Sequence, residues 1–261
     1  TNDAVVDALF RKAGIVRCQN RQELTTVCAI FMHPELKGKR CAVITHAGGP
    51  AVMLTDVLKV GTQLLFLGDD DILRRVLNSD VDKIRRTLEG IDRDAFAKTV
   101  DALINARNIY IIGVRSSATL AGFMSYNLRM AFDNVRQVET TSGSEVFEQI
   151  MSIGAGDVLV AVSFPRYSKR VIKAVGFAKQ AGAAVIALTD STDSPIGSGA
   201  DQSLVAQSDM ASFADSMVAP LSIINALVGA VSRAKEEEVN RRLHKLEEIW
   251  DQYDVYDKNQ G

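Results

Sequence analysis

The sequence predicts a doubly wound α/β fold built on a five-stranded parallel sheet in the order 2-1-3-4-5, preceded by a small α/β fragment. Three observations lead there. Short strand-length runs recur at 109–112, 135–139, 158–163, 184–188 and 203–206, almost wholly apolar except for the Val-Arg-Gln-Val-Glu run at 135–139. Helix-length segments separate most of them, at 116–132, 144–151 and 168–180, and another follows at 214–234. Gly and Ser gather where a run gives way to a helix, as in Gly113-Val114-Arg115-Ser116-Ser117. Apolar runs of this length suit strands buried on both faces, and strand–helix alternation requires right-handed crossovers.

Taken in order, Leu73, Val76, Leu77, Ile84 and Leu88 share one face of a first helix. A second helix over 94–105 carries Phe96, Val100, Leu103 and Ile104 on one side and feeds the first strand at 108–113. Only the gap after Leu188 has no long helical segment. The last helix bears Val239, Leu243, Leu246, Trp250 and Tyr253 at three- and four-residue steps, with Glu236 to Glu238 early and Arg241, Arg242 and Lys245 later. Early acids and later bases complement a helix dipole. That stripe either packs back on its own domain or, in a two-fold assembly, reaches a neighbouring subunit. A homodimer or tetramer is the expectation.

Composition narrows the function classes. Net charge is −2, with 47% hydrophobic and 24% charged residues, so no overall basic field draws the chain to nucleic acid or an anionic membrane. The longest apolar stretch, 218–231, is too short for a bilayer span of ~20 residues. Cys18, Cys28 and Cys41 lack CxxC spacing and read as reduced thiols. A cytoplasmic location is expected, with no cofactor and no metal site.

A seam falls near 61–71, where Gly and Asp accumulate, dividing a segment of about 1–62 from one of 69–256. In the first segment, Lys39 to Thr45 reads as a strand ending in the loop His46-Ala47-Gly48-Gly49-Pro50, with a helix continuing over Ala51 to Leu58. The Ile44 to Pro50 stretch is a possible anion cradle or simply a tight turn. With Ala8-Leu9-Phe10-Arg11-Lys12-Ala13-Gly14-Ile15 and Thr55-Asp56, it resembles a fragment of the ADP-forming acyl-CoA synthetase family. No phosphohistidine segment or nucleotide-grasp domain accompanies it, so synthetase activity is not carried over.

In doubly wound sheets, ligands settle at the C-terminal strand ends where the strand order reverses. The loops after the first and third strands fall there: 113–117, and Ser163-Phe164-Pro165-Arg166-Tyr167-Ser168. Each places hydroxyls and unpaired backbone N–H groups at a positive helix end, which suits a phosphate. Gly113 gives the turn room, Arg115 and Arg166 add charge, and Ser116, Ser117, Ser163 and Ser168 supply hydroxyls. Ser116 and Ser168 have a second reading as helix caps. For acid–base chemistry the candidates are Glu145 and Glu148, although Ser142-Gly143-Ser144-Glu145 also fits a capping box and Glu148 a solvated face.

The landmarks Ile111 to Ser117, Thr140-Thr141-Ser142-Gly143-Ser144-Glu145, Gly156-Asp157-Val158 through Ser163, and Ala183 to Asp190 with Ser194-Pro195-Ile196 resemble the SIS (sugar isomerase) fold in order. With the approach helix from Ile72 and the ending Trp250-Asp251-Gln252-Tyr253, the chain is similar over about 69–256 to RpiR/MurR-type transcription regulators. The resemblance implies binding of a phosphorylated sugar or amino sugar by Ser116, Ser117, Ser163 and Ser168, as the effector-sensing part of such a regulator. The alternative is a sugar-phosphate (aldose–ketose) isomerase. Pro165 and Arg166 stand where SIS loops often carry Ser and Gly, which bears on ligand identity. Residues before Asp69 show no basic recognition helix, so DNA binding is expected only if a helix-turn-helix domain is supplied elsewhere.

Overall fold

The central runs form the middle of one sheet because they carry side chains that must leave water on both faces, while the two edge strands are only partly buried. In the computed structural model, which describes residues 69–139, 145–209 and 215–255, the strands are β1 (Ile109–Gly113), β2 (Val135–Val138), β3 (Val158–Val162), β4 (Ala184–Thr189) and β5 (Gln202–Val205). They are all parallel, in the order β2-β1-β3-β4-β5. β1 and β3 are buried at every position. The expected fold class and strand order are thus observed. The first 62 residues, with their cysteines, His33, His46 and synthetase-like words, lie outside the described residues, as does Thr140 to Ser144.

The helices are α1 (Asp69–Gly90), α2 (Arg93–Asn105), α3 (Ser116–Leu128), α4 (Glu145–Ile150), α5 (Lys169–Gln180), α6 (Val218–Ala234) and α7 (Glu236–Gln252). Alternating strand residues sort them into two layers. Ile109, Ile111, Val160, Ile186 and Leu204 pack with Leu103 of α2, Leu120 and Met124 of α3, and Ile224 and Leu227 of α6. Tyr110, Ile112, Leu159, Val185 and Ala187 face the opposite way, against Val146 and Ile150 of α4 and Val171, Ala174 and Ala178 of α5. Each fully buried aliphatic side chain contributes about 1.5–3 kcal/mol, so this double core holds the sheet.

Local signals set the helix ends. Asp92 caps α2, accepting from the Asp94 and Ala95 N–H groups at 2.8 and 3.0 Å. Beyond α5, Gly182 takes φ +83°, and its N–H and that of Ala183 return to the Lys179 and Ala178 carbonyls. The helix expected over 116–132 ends at Leu128, where Met130 N–H turns back to Asn127 O at 3.1 Å.

Helix α1 departs from its hydrophobic pattern. Leu77, Val81 and Leu88 are more than half exposed, while Lys83 and Thr87 are the residues it buries. Helix α7 divides its stripe: Val239 is buried and Arg242 pairs with Asp133 at 2.6 Å and bonds Arg129 O at 3.1 Å, whereas Leu243 and Tyr253 are exposed.

At the N-terminal ends of β1 and β3 sits a buried carboxylate. Asp157 accepts from Arg107 Nε and Nη2 at 2.9 and 2.6 Å, from Asn108 Nδ2 at 2.9 Å and from Gly154 N–H at 2.9 Å. The Arg107 hydrogen bonds, aided by Asn108 and Gly154, outweigh burial and hold this carboxyl at about 2.

Candidate functional site

Register brings the two serine loops together. Gly113 lies opposite Val162 in the β1–β3 pairing, so 114–117 and 163–168 leave the sheet side by side at its C-terminal edge. β1 is also the strand at which the sheet order reverses.

The first loop is tight. A Cβ on Gly113 would lie 2.3 Å from the Ser117 carbonyl oxygen and 3.0 Å from Ala121 Cβ, so only glycine allows α3 to start this close to the strand. Arg115 bridges the turn at φ 59°, ψ −125°, a conformation that strains any side-chain-bearing residue. Its carbonyl accepts from Ala118 N–H at 3.0 Å, which makes Arg115 the N-cap and Ser116 the first helical residue. The capping role considered for Ser116 is therefore not the one it takes. Ser116 is exposed, and Ser117 is buried below it.

The second loop keeps a left-handed turn without glycine. Arg166 occupies it at φ 68°, at the position where SIS loops often carry Gly. Ser163 is buried, its N–H donating to Leu188 O at 3.2 Å. Ser168 does cap α5, accepting from Arg170 N–H at 3.3 Å. Arg115 and Arg166 are both exposed. The loop thus combines one buried hydroxyl, one capping hydroxyl and a guanidinium at a helix start, an array suited to an anion.

Two carboxylates outside the sequence-based set brace this loop. Tyr167 OH donates to Asp190 Oδ1 at 2.7 Å, and Thr189 Oγ1 reaches the same oxygen at 3.2 Å. Burial, then the bond to Asp190, pushes the tyrosine hydroxyl up to about 12, so it stays protonated. Ser194 Oγ accepts from Thr189 Oγ1 and from Gly197 N–H, each at 3.0 Å, ordering the turn after β4. Arg166 Nη2 lies 3.5 Å from Asp215 Oδ2, just ahead of α6. Asp190 closes one of the sequence landmarks, but nothing local marks its pairing with Tyr167, and Asp215 lies in none of them.

Glu145 opens α4 half-buried, and Glu148 lies on its exposed side. The helix is tied to the sheet edge by Gln149, whose side-chain amide pairs with Glu139 N–H at 2.7 Å and Glu139 O at 3.0 Å. Among the described residues, no group of three or more His, Cys, Asp or Glu is placed to hold a metal ion, and no helix is long and apolar enough to cross a membrane.

A parallel sheet in this order, with paired serine-bearing loops where it reverses, has the SIS-type arrangement, and residues 102–230 match the SIS domain family model. The chain carries a SIS domain. Its relatives include HTH-type transcriptional regulators and, over a shorter stretch, bifunctional glk proteins. An uncharacterised HTH-type transcriptional regulator of Caldanaerobacter subterraneus is 28% identical over 191 residues, covering 69% of this chain and 66% of the relative. Among solved structures, the sugar isomerase domain of an RpiR transcription factor from Sphaerobacter thermophilus aligns with a TM-score of 0.64 at 25% identity, over 66% of this chain and 96% of that one. The Vibrio vulnificus NanR protein complexed with ManNAc-6P aligns with a TM-score of 0.63 at 25% identity, over 77% and 72%. The match thus spans just under two thirds of the curated regulator's length.

Proposed function

We propose that this SIS domain binds a phosphorylated sugar or amino sugar between the loops 113–117 and 163–168 and serves as the effector-sensing part of an RpiR/MurR-type transcription regulator. The observation that carries the reading is the side-by-side departure of two serine-bearing loops into helix starts at the strand where the sheet order reverses. Gly113, Arg115, Ser116 and Ser117 form one wall, and Ser163, Arg166 and Ser168 the other. A phosphate there would meet free helix N–H groups, hydroxyls and two guanidinium groups. Similarity to a NanR protein complexed with ManNAc-6P supports a phosphorylated amino sugar as the first ligand to try.

Sensing is favoured over isomerisation because Glu148 faces solvent on α4, and the loop carboxylates Asp190 and Asp215 already hold Tyr167 and Arg166. The same reading has a cytoplasmic, two-fold assembled protein with residues of about 1–62 as a separate segment. Thermal unfolding with ManNAc-6P and with unphosphorylated ManNAc tests it. Stabilisation by the phosphorylated sugar alone, lost when Ser116→Ala and Ser163→Ala are combined, is expected. An undiminished shift in the double variant would move the site elsewhere.

A further inference from the structure

Lys83 lies on the buried side of α1 at 1% exposure, its Nζ 2.6 Å from Ser79 Oγ and 3.5 Å from Asp80 Oδ1. A buried ammonium needs a carboxylate partner, and here that partner is shared. Ser216 Oγ donates to the same Asp80 oxygen at 2.7 Å. One residue earlier, Asp215 pairs with Arg166 of the β3 loop. Neighbouring residues thus hold the candidate site with one side chain and α1 with the other. The same helix is pinned at the exit of β5, where Gln207 N–H donates to Thr87 Oγ1 at 3.0 Å and Arg86 pairs with Asp209 at 2.9 Å.

The Arg166–Asp215 contact is the weak joint of this chain. At 3.5 Å it is longer than the 2.7–2.9 Å of a good charge-assisted hydrogen bond, and Arg166 sits at a left-handed φ of 68°. A phosphate dianion beside the loop would offer Arg166 a stronger, bidentate partner.

We propose that Asp215 and Ser216 couple the anion site to helix α1: a bound phosphate draws Arg166 off Asp215, and the released Asp215–Ser216 pair loosens the Ser216–Asp80–Lys83 network that anchors the helix. This rests on the reading of the two serine loops as an anion site. Coupling of this kind is reciprocal, so loosening the Asp215 end must tighten the anion, and the anion must change the protection of α1.

Inorganic phosphate binding to the full chain by titration calorimetry, with hydrogen–deuterium exchange over 79–88, tests both halves. Wild type should bind phosphate and exchange faster over 79–88 when it is bound. Asp215→Asn should tighten phosphate by about two- to fivefold, the range an ion pair of this exposure supports, and should raise exchange over 79–88 without phosphate. Ser216→Ala should raise exchange over 79–88 without phosphate, abolish the phosphate's further effect on it and tighten phosphate slightly, as reciprocity requires. If Asp215→Asn folds poorly, Arg166→Gly breaks the pair from the other side at a backbone angle glycine accepts, and should raise phosphate-free exchange likewise. Phosphate binding with an unaltered exchange profile, or an unchanged Kd in Asp215→Asn, would overturn the coupling alone. Absence of phosphate binding in wild type and Asp215→Asn alike would overturn the site reading and the coupling with it.

Discussion

Tyr167 and Asp190 join the loop after β3 to the end of β4 through a 2.7 Å hydrogen bond from phenol to carboxylate. Because burial and this bond keep the phenol protonated to about 12, the tie persists across the neutral range. Tyr167→Phe keeps the ring and removes the donor. It should cost about 1.5–3 kcal/mol of stability, the range for a hydrogen bond to a charged group, and weaken sugar-phosphate binding by freeing Arg166 and Ser168. Chemical denaturation with equilibrium binding checks this; an unchanged affinity would show that the tie does not order the loop.

Gly113 and Arg115 make opposite predictions for one turn. Gly113→Ala drives a methyl into the Ser117 carbonyl, so α3 must retreat, at about 1–3 kcal/mol and with loss of ligand binding. Arg115→Gly relieves a strained φ of 59° and should leave stability equal or improved while weakening anion binding through the lost charge. Melting curves of the two variants should move apart, and a stabilised Gly113→Ala would refute the packing described.

The buried Asp157 sets an acid limit. Its folded value of about 2 lies below the ordinary 3.8, so its stabilising contribution is complete above about pH 4 and lost as pH falls toward 2. Asp157→Asn should be less stable than wild type at neutral pH and should lose less stability between pH 4 and 2. Parallel denaturation series would settle it; identical slopes would assign the acid sensitivity to other carboxylates.

Assembly is tested at helix α7. Leu243 and Tyr253 remain exposed on the stripe that also carries Leu246 and Trp250. Sedimentation equilibrium should give a dimer or tetramer, and Leu246→Asp with Trp250→Asp should shift it toward monomer. A folded wild-type monomer at micromolar concentration would contradict the proposed assembly.

Much of the sheet was legible because its signal is local. The runs around Ile111, Val160 and Ile186 are apolar at nearly every position, which only strands covered on both faces require. Gly113 and the serines near each helix start likewise marked the two loops. The carboxylate braces were not legible. Asp157 with Arg107, Asp190 with Tyr167 and Asp215 with Arg166 are separated by 50, 23 and 49 residues, and only the tertiary fold brings them together. Helix α1 misled for a different reason: periodicity finds an apolar face, but the face that docks is decided by Lys83 and Thr87 finding polar partners.

Titration calorimetry of the full chain with ManNAc-6P against unphosphorylated ManNAc tests the central claim most directly. The account predicts saturable binding of the phosphorylated sugar only, weakened at least tenfold, about 1.4 kcal/mol, when Ser116→Ala and Ser163→Ala are combined. Equal binding of both sugars, or phosphosugar binding untouched by the two substitutions, would contradict it.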